Sequence, residues 1–168
     1  MEQSQRTGEF VHDCITRYKD TVYRLAFART GSKQDADDIF QDVFMKLFTS
    51  NPSFESEEHL KAWLIRTTIH TSINLLKSAW RRYTCHESAR EASASKCASD
   101  IRHDDLRNAL GKLPEKYRVA IYLHYYENYS TDEIAAFMNI KPGTVRSLLS
   151  RGRDRLKLMI EESEGSDT

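Results

Sequence analysis

Apolar residues recur every three or four positions along most of this 168-residue chain, which is the spacing of an amphipathic helix. The alternation of apolar and polar residues that is typical of a half-buried strand is absent. Helical spacing is interrupted in YTCHESAREASASKCASDIRH, residues 83–103, which is rich in Ser and Ala and poor in large apolar residues. The pattern predicts an all-α protein in which a flexible linker joins two small helical domains.

One amphipathic helix is predicted in DADDIFQDVFMKLF, residues 35–48. Its apolar stripe consists of Ala36, Ile39, Phe40, Val43, Phe44, Leu47 and Phe48. Its acidic and polar positions are Asp35, Asp37, Asp38, Gln41, Asp42 and Lys46. The aspartates of the opening turns are favoured by the helix dipole, so this polar face is either a solvated helix start or a docking surface for a partner.

The next helix is predicted to begin near His59 and to continue through HLKAWLIRTTIHTSINLLKSAWRR. Its core stripe is predicted to consist of Ile69, Ile73, Leu76 and Trp80. A second stripe of polar and basic residues consists of Arg66, His70, Asn74, Lys77 and Arg81. The helix should therefore bury one face and present a basic ridge on another.

Charge is separated between these two helices, although the whole chain has 25 basic and 25 acidic residues. Residues 61–82 contain five Lys or Arg and no acidic residue, whereas residues 35–58 contain seven acidic residues and one Lys. Solubility alone favours interspersed charges. The separation suggests one surface for a protein partner and another for nucleic-acid phosphates; the alternative is a pair of solvated helix faces.

The segment YSTDEIAAFMNIKPGTVRSLLSRGRDRL, residues 129–156, carries the signals of two short helices joined by a turn. Ser130 with Glu133 is a capping box, Asn139 tolerates a left-handed turn, and Pro142 suits the first turn of a helix. The core side of the second helix is predicted to contain Val145, Leu149, Gly152 and Leu156. The opposite side presents Ser147, Ser150 and Asp154, flanked by Arg146 and Arg151. Short polar groups beside guanidinium groups suit the DNA major groove, which favours a DNA-binding helix-turn-helix over a plain helical hairpin.

The three cysteines, Cys14, Cys85 and Cys97, are widely spaced, which favours free thiols in a reducing cytoplasm over a disulfide framework. A zinc site built from the linker cysteines with His86 and His103 would lack the close ligand pairs of structural zinc, so no metal or cofactor is predicted. The sequence shows no apolar segment typical of a signal peptide or a membrane span. A cytoplasmic protein is expected, with redox sensing through the linker cysteines as a secondary hypothesis.

With both halves considered, the chain resembles bacterial sigma factors of the extracytoplasmic-function group, the compact members of the sigma-70 family. The resemblance rests on YRLAFARTGSKQDADDIFQDVFMKLF, AWLIRTTIHTSINLLK, ALGKLPEKYRVAIYLHYYENYSTDEIA and PGTVRSLLSRGRDRL. It implies a region-2-like domain at residues 12–82, a linker at 83–103 and a region-4-like helix-turn-helix domain at 104–162. Such an alternative sigma factor would bind core RNA polymerase and direct promoter recognition, melting and transcription initiation.

The resemblance also implies roles for individual positions. Those expected to bind the β′ clamp helices of the polymerase are Asp37, Asp38, Gln41, Asp42 and Lys46. Those expected to engage the −10 element of promoter DNA are Arg66, His70, Asn74, Lys77, Arg81 and Arg82. Those expected at the −35 element are Lys141, Thr144, Arg146, Ser147, Ser150, Arg151 and Arg153. The loop at residues 51–58 corresponds to the family's segment that captures an unstacked base, and the C-terminal domain would also touch the β flap.

Three features depart from the family's usual pattern. His70 and Asn74 stand where the family usually has Asn and Asp, which predicts an unusual −10 preference. Leu148 replaces a basic residue and Lys141 replaces a small capping residue, which alters the expected −35 contacts. The base-capture loop carries Glu55, Glu57 and Glu58. An acidic loop suits a polymerase contact or a helix start better than it suits a nucleic-acid backbone.

An anti-sigma factor that blocks polymerase binding is common in the family and is expected as a further partner, although no residue identifies one. No small-molecule substrate is expected. The first alternative function is an autonomous helix-turn-helix regulator that dimerises on a palindrome, which would leave the N-terminal charge separation unexplained. An enzyme is not favoured, because the sequence shows no paired carboxylates near a His, no Gly-rich phosphate loop and no nucleophile motif.

Overall fold

The structure, a computed structural model, describes residues 2–83 and 109–165. These residues fall into two compact units, which are described separately below. The N-terminal unit contains the helices α1 (Glu2–Thr30), α2 (Lys33–Ser50) and α3 (Glu57–Tyr83). The C-terminal unit contains a helical segment at residues 109–112, followed by α4 (Glu115–Ile121), a π-helical turn (Tyr122–Tyr126), α5 (Thr131–Met138) and α6 (Pro142–Gly165).

All regular structure within these two ranges is helical, so the prediction of an all-α fold is confirmed. Helix α1 begins at Glu2, ahead of the expected start of the first domain at residue 12. Tyr83, which was expected in the linker, is the last residue of α3. The remaining linker residues, 84–103, and the expected start of the second domain, 104–108, lie outside the described residues.

Local turn chemistry sets the two ends of α2. Gly31 adopts a left-handed conformation with φ of 65°, and Oγ of Ser32 caps the helix by accepting a hydrogen bond from the Asp35 N–H at 3.3 Å. Asn51 follows the helix in the left-handed region with φ of 41°, and its N–H donates to the Leu47 carbonyl. These local interactions therefore define where α2 begins and where it ends.

The core of the N-terminal unit is built from apolar side chains of all three helices. Residues that are at most 1% exposed include Val22, Leu25, Ile39, Val43, Leu47, Leu64 and Ile65. Phe44 is buried, Phe40 is partly buried, and Phe48 is 43% exposed, so the placement of Phe48 in the apolar stripe is wrong. Each step of four residues drifts by about 40° around a helix, and the last ring in this series has left the core.

The buried side of α3 also differs from the predicted one. Its buried residues include Leu60, Leu64, Ile65, Thr68, Ile69, Thr71 and Ser72. Ile73 and Leu76, which were predicted in the core, are only partly buried. The hydroxyl of Thr68 donates to the Leu64 carbonyl at 2.7 Å, and that of Ser72 donates to the Thr68 carbonyl at 2.6 Å. Hydroxyl groups that are satisfied within their own helix can be buried without a partner on another helix.

The helix-turn-helix predicted from the sequence is confirmed in the C-terminal unit. The Glu133 N–H donates to Oγ of Ser130 at 3.2 Å, and the Ser130 N–H donates to Oε2 of Glu133 at 2.8 Å, which completes the capping box. Asn139 ends α5 in the left-handed region with φ of 54°, and the Ile140 N–H donates to the Ala135 carbonyl at 3.0 Å. Local hydrogen bonds therefore define the turn between α5 and α6.

Gly152 lies where α6 packs against α4. A Cβ atom at this position would lie 2.8 Å from Cδ1 of Ile121 and 3.4 Å from Cβ of Tyr117. We expect Gly152→Leu to destabilise the C-terminal unit by about 1–3 kcal/mol, because overpacking forces buried neighbours to move. Urea unfolding combined with hydrogen exchange of α4 and α6 measures this change. The control is Gly111→Leu, since no neighbour lies within 4 Å of a Cβ there; equal stability of the two variants would contradict the prediction.

Candidate nucleic-acid interface

Helix α6 separates a buried side from an exposed polar side. The buried side includes Val145, Leu148, Leu149 and Gly152. The residues predicted at the −35 element are all exposed, namely Lys141, Thr144, Arg146, Ser147, Ser150, Arg151 and Arg153. Because the core fixes the rotation of the helix, Arg146 and Arg151 flank the short side chains of Ser147 and Ser150. Such a face has the shape and polarity to enter a major groove.

Leu148 does not belong to the exposed face. Its side chain is 8% exposed and lies on the buried side of α6 with Leu149. The position at which the family usually carries a basic residue therefore contributes here to the core rather than to a charged surface. In the first three turns of α6, Arg146 and Arg151 provide the positive charge of the exposed face.

Two further arginines of α6 contact aromatic residues of their own unit. Nη1 of Arg153 donates a hydrogen bond to the Tyr125 hydroxyl at 2.6 Å, and the Arg155 guanidinium lies 5.0 Å from the centre of the Tyr117 ring. Tyr125 belongs to the π-helical turn, which the helical spacing of apolar residues does not predict. No spacing in the sequence signals this contact, because Tyr125 lies 28 residues before Arg153 in the chain.

The polar ridge predicted on α3 is exposed. This basic ridge is defined here as Arg66, His70, Asn74 and Lys77, which are all exposed and lie on one side of the helix. Arg81 and Arg82 lie in the last turn of α3, but their side chains and that of Trp80 are outside the described side chains. Within the described part, the ridge lies away from the buried side of α3 and is accessible to a large ligand.

Helix α2 presents a different exposed surface. Its acidic face is defined here as Asp37, Asp38, Gln41 and Asp42, all of which are exposed. Met45 is 54% exposed and Phe48 is 43% exposed, and both lie on the same side of α2 as this face. The spacing of apolar residues does not reveal this apolar extension, because it predicts Phe48 in the core and assigns Met45 no role.

Lys46 occupies a different environment from the rest of the predicted polymerase-binding set. Its Nζ lies 2.9 Å from Oδ2 of Asp42 and donates a hydrogen bond to Oγ1 of Thr71 on α3 at 2.9 Å. A shallow groove of about 340 Å³ lies beside this contact, between α2 and α3. Lys46 therefore joins two helices, whereas the acidic face of α2 projects outward.

Aromatic contacts hold the loop between α2 and α3 against α1. The centre of the Phe54 ring lies 6.4 Å from that of Phe10, 5.5 Å from that of His59 and 5.8 Å from that of Trp63. The backbone N–H of Glu55 donates to Nδ1 of His59 at 3.4 Å. These contacts give a defined conformation to the segment that the resemblance associates with base capture.

Glu57 ties the start of α3 to α1. Its Oε1 accepts hydrogen bonds from the Tyr18 hydroxyl at 2.8 Å and from Nη1 of Arg17 at 3.2 Å. The bond from Tyr18, followed by the bond from Arg17, lowers the pKa of Glu57 below its ordinary value. Burial, followed by the bond to Glu57, raises the pKa of Tyr18. The acidic loop was expected either to contact polymerase or to stabilise the start of the next helix. The contacts of Glu57 support the second role for this residue.

A lowered carboxyl pKa makes this link pH dependent. The stabilisation from Glu57 is present above its ordinary pKa and is lost as the pH falls through its lower folded-state pKa. We therefore expect Glu57→Gln to lower the Tm at neutral pH and to have little effect in strongly acidic buffer. Calorimetry across the acid range measures this, with Glu58→Gln at the same helix start as the control. A Tm difference that does not change with pH would contradict the prediction.

The structure adds little to the predictions on metals and cysteines. Among residues 2–83 and 109–165, no group of three or more His, Cys, Asp or Glu could hold a metal ion. Cys14 is a buried free thiol, whereas Cys85, His86, Cys97 and His103 lie outside the described residues. In the same two ranges, no helix is long and apolar enough to cross a membrane.

Comparison with known proteins relates both units to one family. Residues 14–82 match Sigma-70 region 2, and residues 103–156 match Sigma-70, region 4. The RNA polymerase sigma factor SigV of Bacillus subtilis is 26% identical over 98% of this chain and 99% of its own length. The ECF RNA polymerase sigma factor SigE of Mycolicibacterium smegmatis is 31% identical over 86% of this chain and 59% of its own length. A solved structure of the sigma factor RpoE with the anti-sigma factor NepR from Bartonella quintana covers 89% of this chain and 96% of that sigma factor, with 25% identity and a TM-score of 0.71.

Proposed function

Because this chain belongs to the extracytoplasmic-function group of the sigma-70 family, it is an alternative sigma factor that directs transcription initiation, and we propose how its two domains share that work. The region-2-like domain, residues 12–82, binds core RNA polymerase through the acidic face of α2 and the −10 element through the basic ridge of α3. The region-4-like domain, residues 104–162, binds the −35 element through α6. Residues 83–103 act as the linker.

The main support for assigning polymerase to α2 and DNA to α3 is that a single three-helix unit exposes both an acidic helix face and a basic helix ridge. A DNA backbone attracts Lys and Arg and repels carboxylates, so the basic ridge is the surface suited to promoter DNA. The acidic face of α2 is suited to a basic protein surface. Opposite charges on separate faces allow the unit to hold polymerase and DNA at the same time.

The exposed apolar residues of α2 support a protein partner for the acidic face. Met45 and Phe48 are about half exposed and adjoin the polar positions on the same side of the helix. Protein interfaces commonly combine an apolar centre that contains Met or aromatic residues with a polar rim. This combination is better suited to the clamp helices of polymerase than to solvent alone.

Neither DNA surface needs to bind tightly by itself. The chain has no net charge, so long-range attraction to DNA is expected to be weak for the free protein. When polymerase holds both domains, binding at one promoter element raises the effective concentration of the other domain at its own element. Selective promoter binding is therefore a property of the holoenzyme.

An anti-sigma factor is proposed as a further partner. The similar RpoE structure contains one, NepR, bound to that sigma factor. A protein that covers the acidic face of α2 would compete directly with polymerase. Because the polymerase carries out the chemistry, we assign this protein no catalytic residue, cofactor or small-molecule substrate, and its place of action is the cytoplasm.

Run-off transcription with purified core polymerase tests the proposal. Genomic promoter fragments are transcribed with and without the protein, and the new transcripts are mapped. Start sites that depend on the protein and share two spaced elements are the expected result. Specific binding of the free protein to duplex DNA without initiation would instead identify an autonomous helix-turn-helix regulator.

A further inference from the structure

We propose that Lys46 is a positioning residue that holds α2 and α3 in register, rather than a residue that contacts polymerase. The inference rests on the proposed function of the two exposed surfaces on either side of it. Lys46 then has a role distinct from that of the acidic face, although the family resemblance predicts polymerase contacts for both.

One of the two polar contacts of Lys46 joins α2 to α3. Its ammonium group pairs with Asp42 one turn earlier on α2 and donates to Thr71 on α3, at 2.9 Å in each case. Thr71 is only 5% exposed, so this second bond reaches into the unit. An ammonium group has three N–H donors, and these two contacts leave at most one for an external partner.

Lys46 lies between the two proposed functional surfaces. The groove beside it is lined by Asp38, Asp42, Lys46, Thr71, Asn74, Leu75 and Ser78. Asp38 and Asp42 belong to the acidic face, whereas Asn74 belongs to the basic ridge. The side chain of Lys46 therefore crosses from the helix proposed to bind polymerase to the helix proposed to bind DNA.

The position of Thr71 on α3 gives this contact a functional consequence. Thr71 follows His70 directly and precedes Asn74 by about one helical turn. If polymerase holds α2, the contact between Lys46 and Thr71 sets where these two residues of the basic ridge lie relative to polymerase. Loss of the contact should disturb −10 recognition more than polymerase binding, because all carboxylates of the acidic face, including Asp42, remain on α2.

Two substitutions remove the contact from opposite sides. Lys46→Met keeps the aliphatic length and removes the ammonium group, whereas Thr71→Val keeps the shape and removes the hydroxyl. The affinity of each variant for core polymerase is measured by fluorescence anisotropy, and the affinity of its holoenzyme for a fork-junction −10 probe is measured in the same way. We expect both variants to bind the probe about three- to tenfold more weakly, which corresponds to the loss of one hydrogen bond, while core binding stays within about twofold of the parent.

A double-mutant cycle tests whether the two residues act through each other. The double variant should bind the −10 probe no more weakly than whichever single variant binds it more weakly. In the absence of polymerase, the decrease in Tm of the double variant should likewise be smaller than the sum of the two single decreases. Lys33→Met, at an exposed lysine of α2, controls for the loss of one positive charge, and Thr67→Val controls for the loss of a threonine hydroxyl on α3. Both controls should resemble the parent.

Three outcomes would overturn the inference. Equal losses of core binding and −10 binding in Lys46→Met would make Lys46 a polymerase contact. A loss in Lys46→Met with none in Thr71→Val would make it a direct DNA contact, and additive Tm changes in the double variant would exclude a link through Thr71. The proposed function fails separately, if the parent holoenzyme itself shows no specific binding to the −10 probe.

Discussion

Reversing two charges on the acidic face, with Asp37→Arg and Asp38→Arg together, should weaken binding to core RNA polymerase by at least about tenfold. Both side chains are exposed near the start of α2, so the substitutions change the surface without disturbing the core. A basic surface on the polymerase would then face two guanidinium groups instead of two carboxylates. Titration of labelled protein with core polymerase gives the dissociation constants.

A charge-matched variant separates this effect from a change in net charge. Glu9→Arg with Asp20→Arg makes the same change in net charge at exposed positions of α1, outside the acidic face. This control should bind polymerase nearly as well as the parent. The parent's affinity should also fall with rising salt, because exposed charges are screened. Equal weakening of the two double variants would remove the acidic face as the specific contact.

Replacement of Arg146 or Arg151 by Ala should weaken −35-dependent binding by about 1–3 kcal/mol each if these side chains read bases. Both residues are exposed beside Ser147 and Ser150 on the side of α6 that faces away from the core. Holoenzyme affinity is measured on promoters that carry single base changes in the −35 element. An arginine that reads a base should lose discrimination at one position of that element.

Arg155→Ala provides the matched control, since this arginine lies over the Tyr117 ring of its own unit. It removes the same charge from the same helix and should leave the base preference unchanged. A uniform loss across all promoter sequences would reassign Arg146 or Arg151 to phosphate contacts. No loss in either variant would exclude the exposed face of α6 from −35 binding.

The helix-turn-helix could be predicted in detail because its signals are local. The capping box between Ser130 and Glu133 spans three positions, and the left-handed Asn139 follows α5 directly. Each interaction forms within one helical turn, so the spacing of residue types already indicates the geometry. The exposed side of α6 could also be predicted from local signals, because an apolar stripe at helical spacing determines which side of the helix faces outward.

The burial of individual residues was less predictable. Phe48 is apolar but exposed, whereas Thr68 and Ser72 are polar but buried. Hydropathy alone assigns each of them to the wrong side. Their burial depends on which turns of α2 and α3 meet other helices and on hydroxyl groups that bond to their own helix backbone.

Contacts between helices could not be predicted at all from the spacing of residues. Lys46 lies 25 residues before Thr71, and Glu57 lies 39 residues after Tyr18. Arg153 reaches a tyrosine of the π-helical turn 28 residues earlier in the chain. No helical period relates positions this far apart, so these partners depend on how the helices pack.

The amino-acid sequence by itself determined the helical class, the helix-turn-helix and the separation of acidic from basic surfaces, because periodicity, capping and charge are properties of neighbouring residues. Only the tertiary structure decided that Lys46 and Glu57 join helices, that Leu148 is buried and that Phe48 is exposed. Helix packing fixes the rotation of each helix and brings distant side chains within hydrogen-bonding distance. The rotation of each helix and the contacts between distant side chains decide which polar residues stabilise the fold. They also decide which polar residues stay exposed and available to polymerase and DNA.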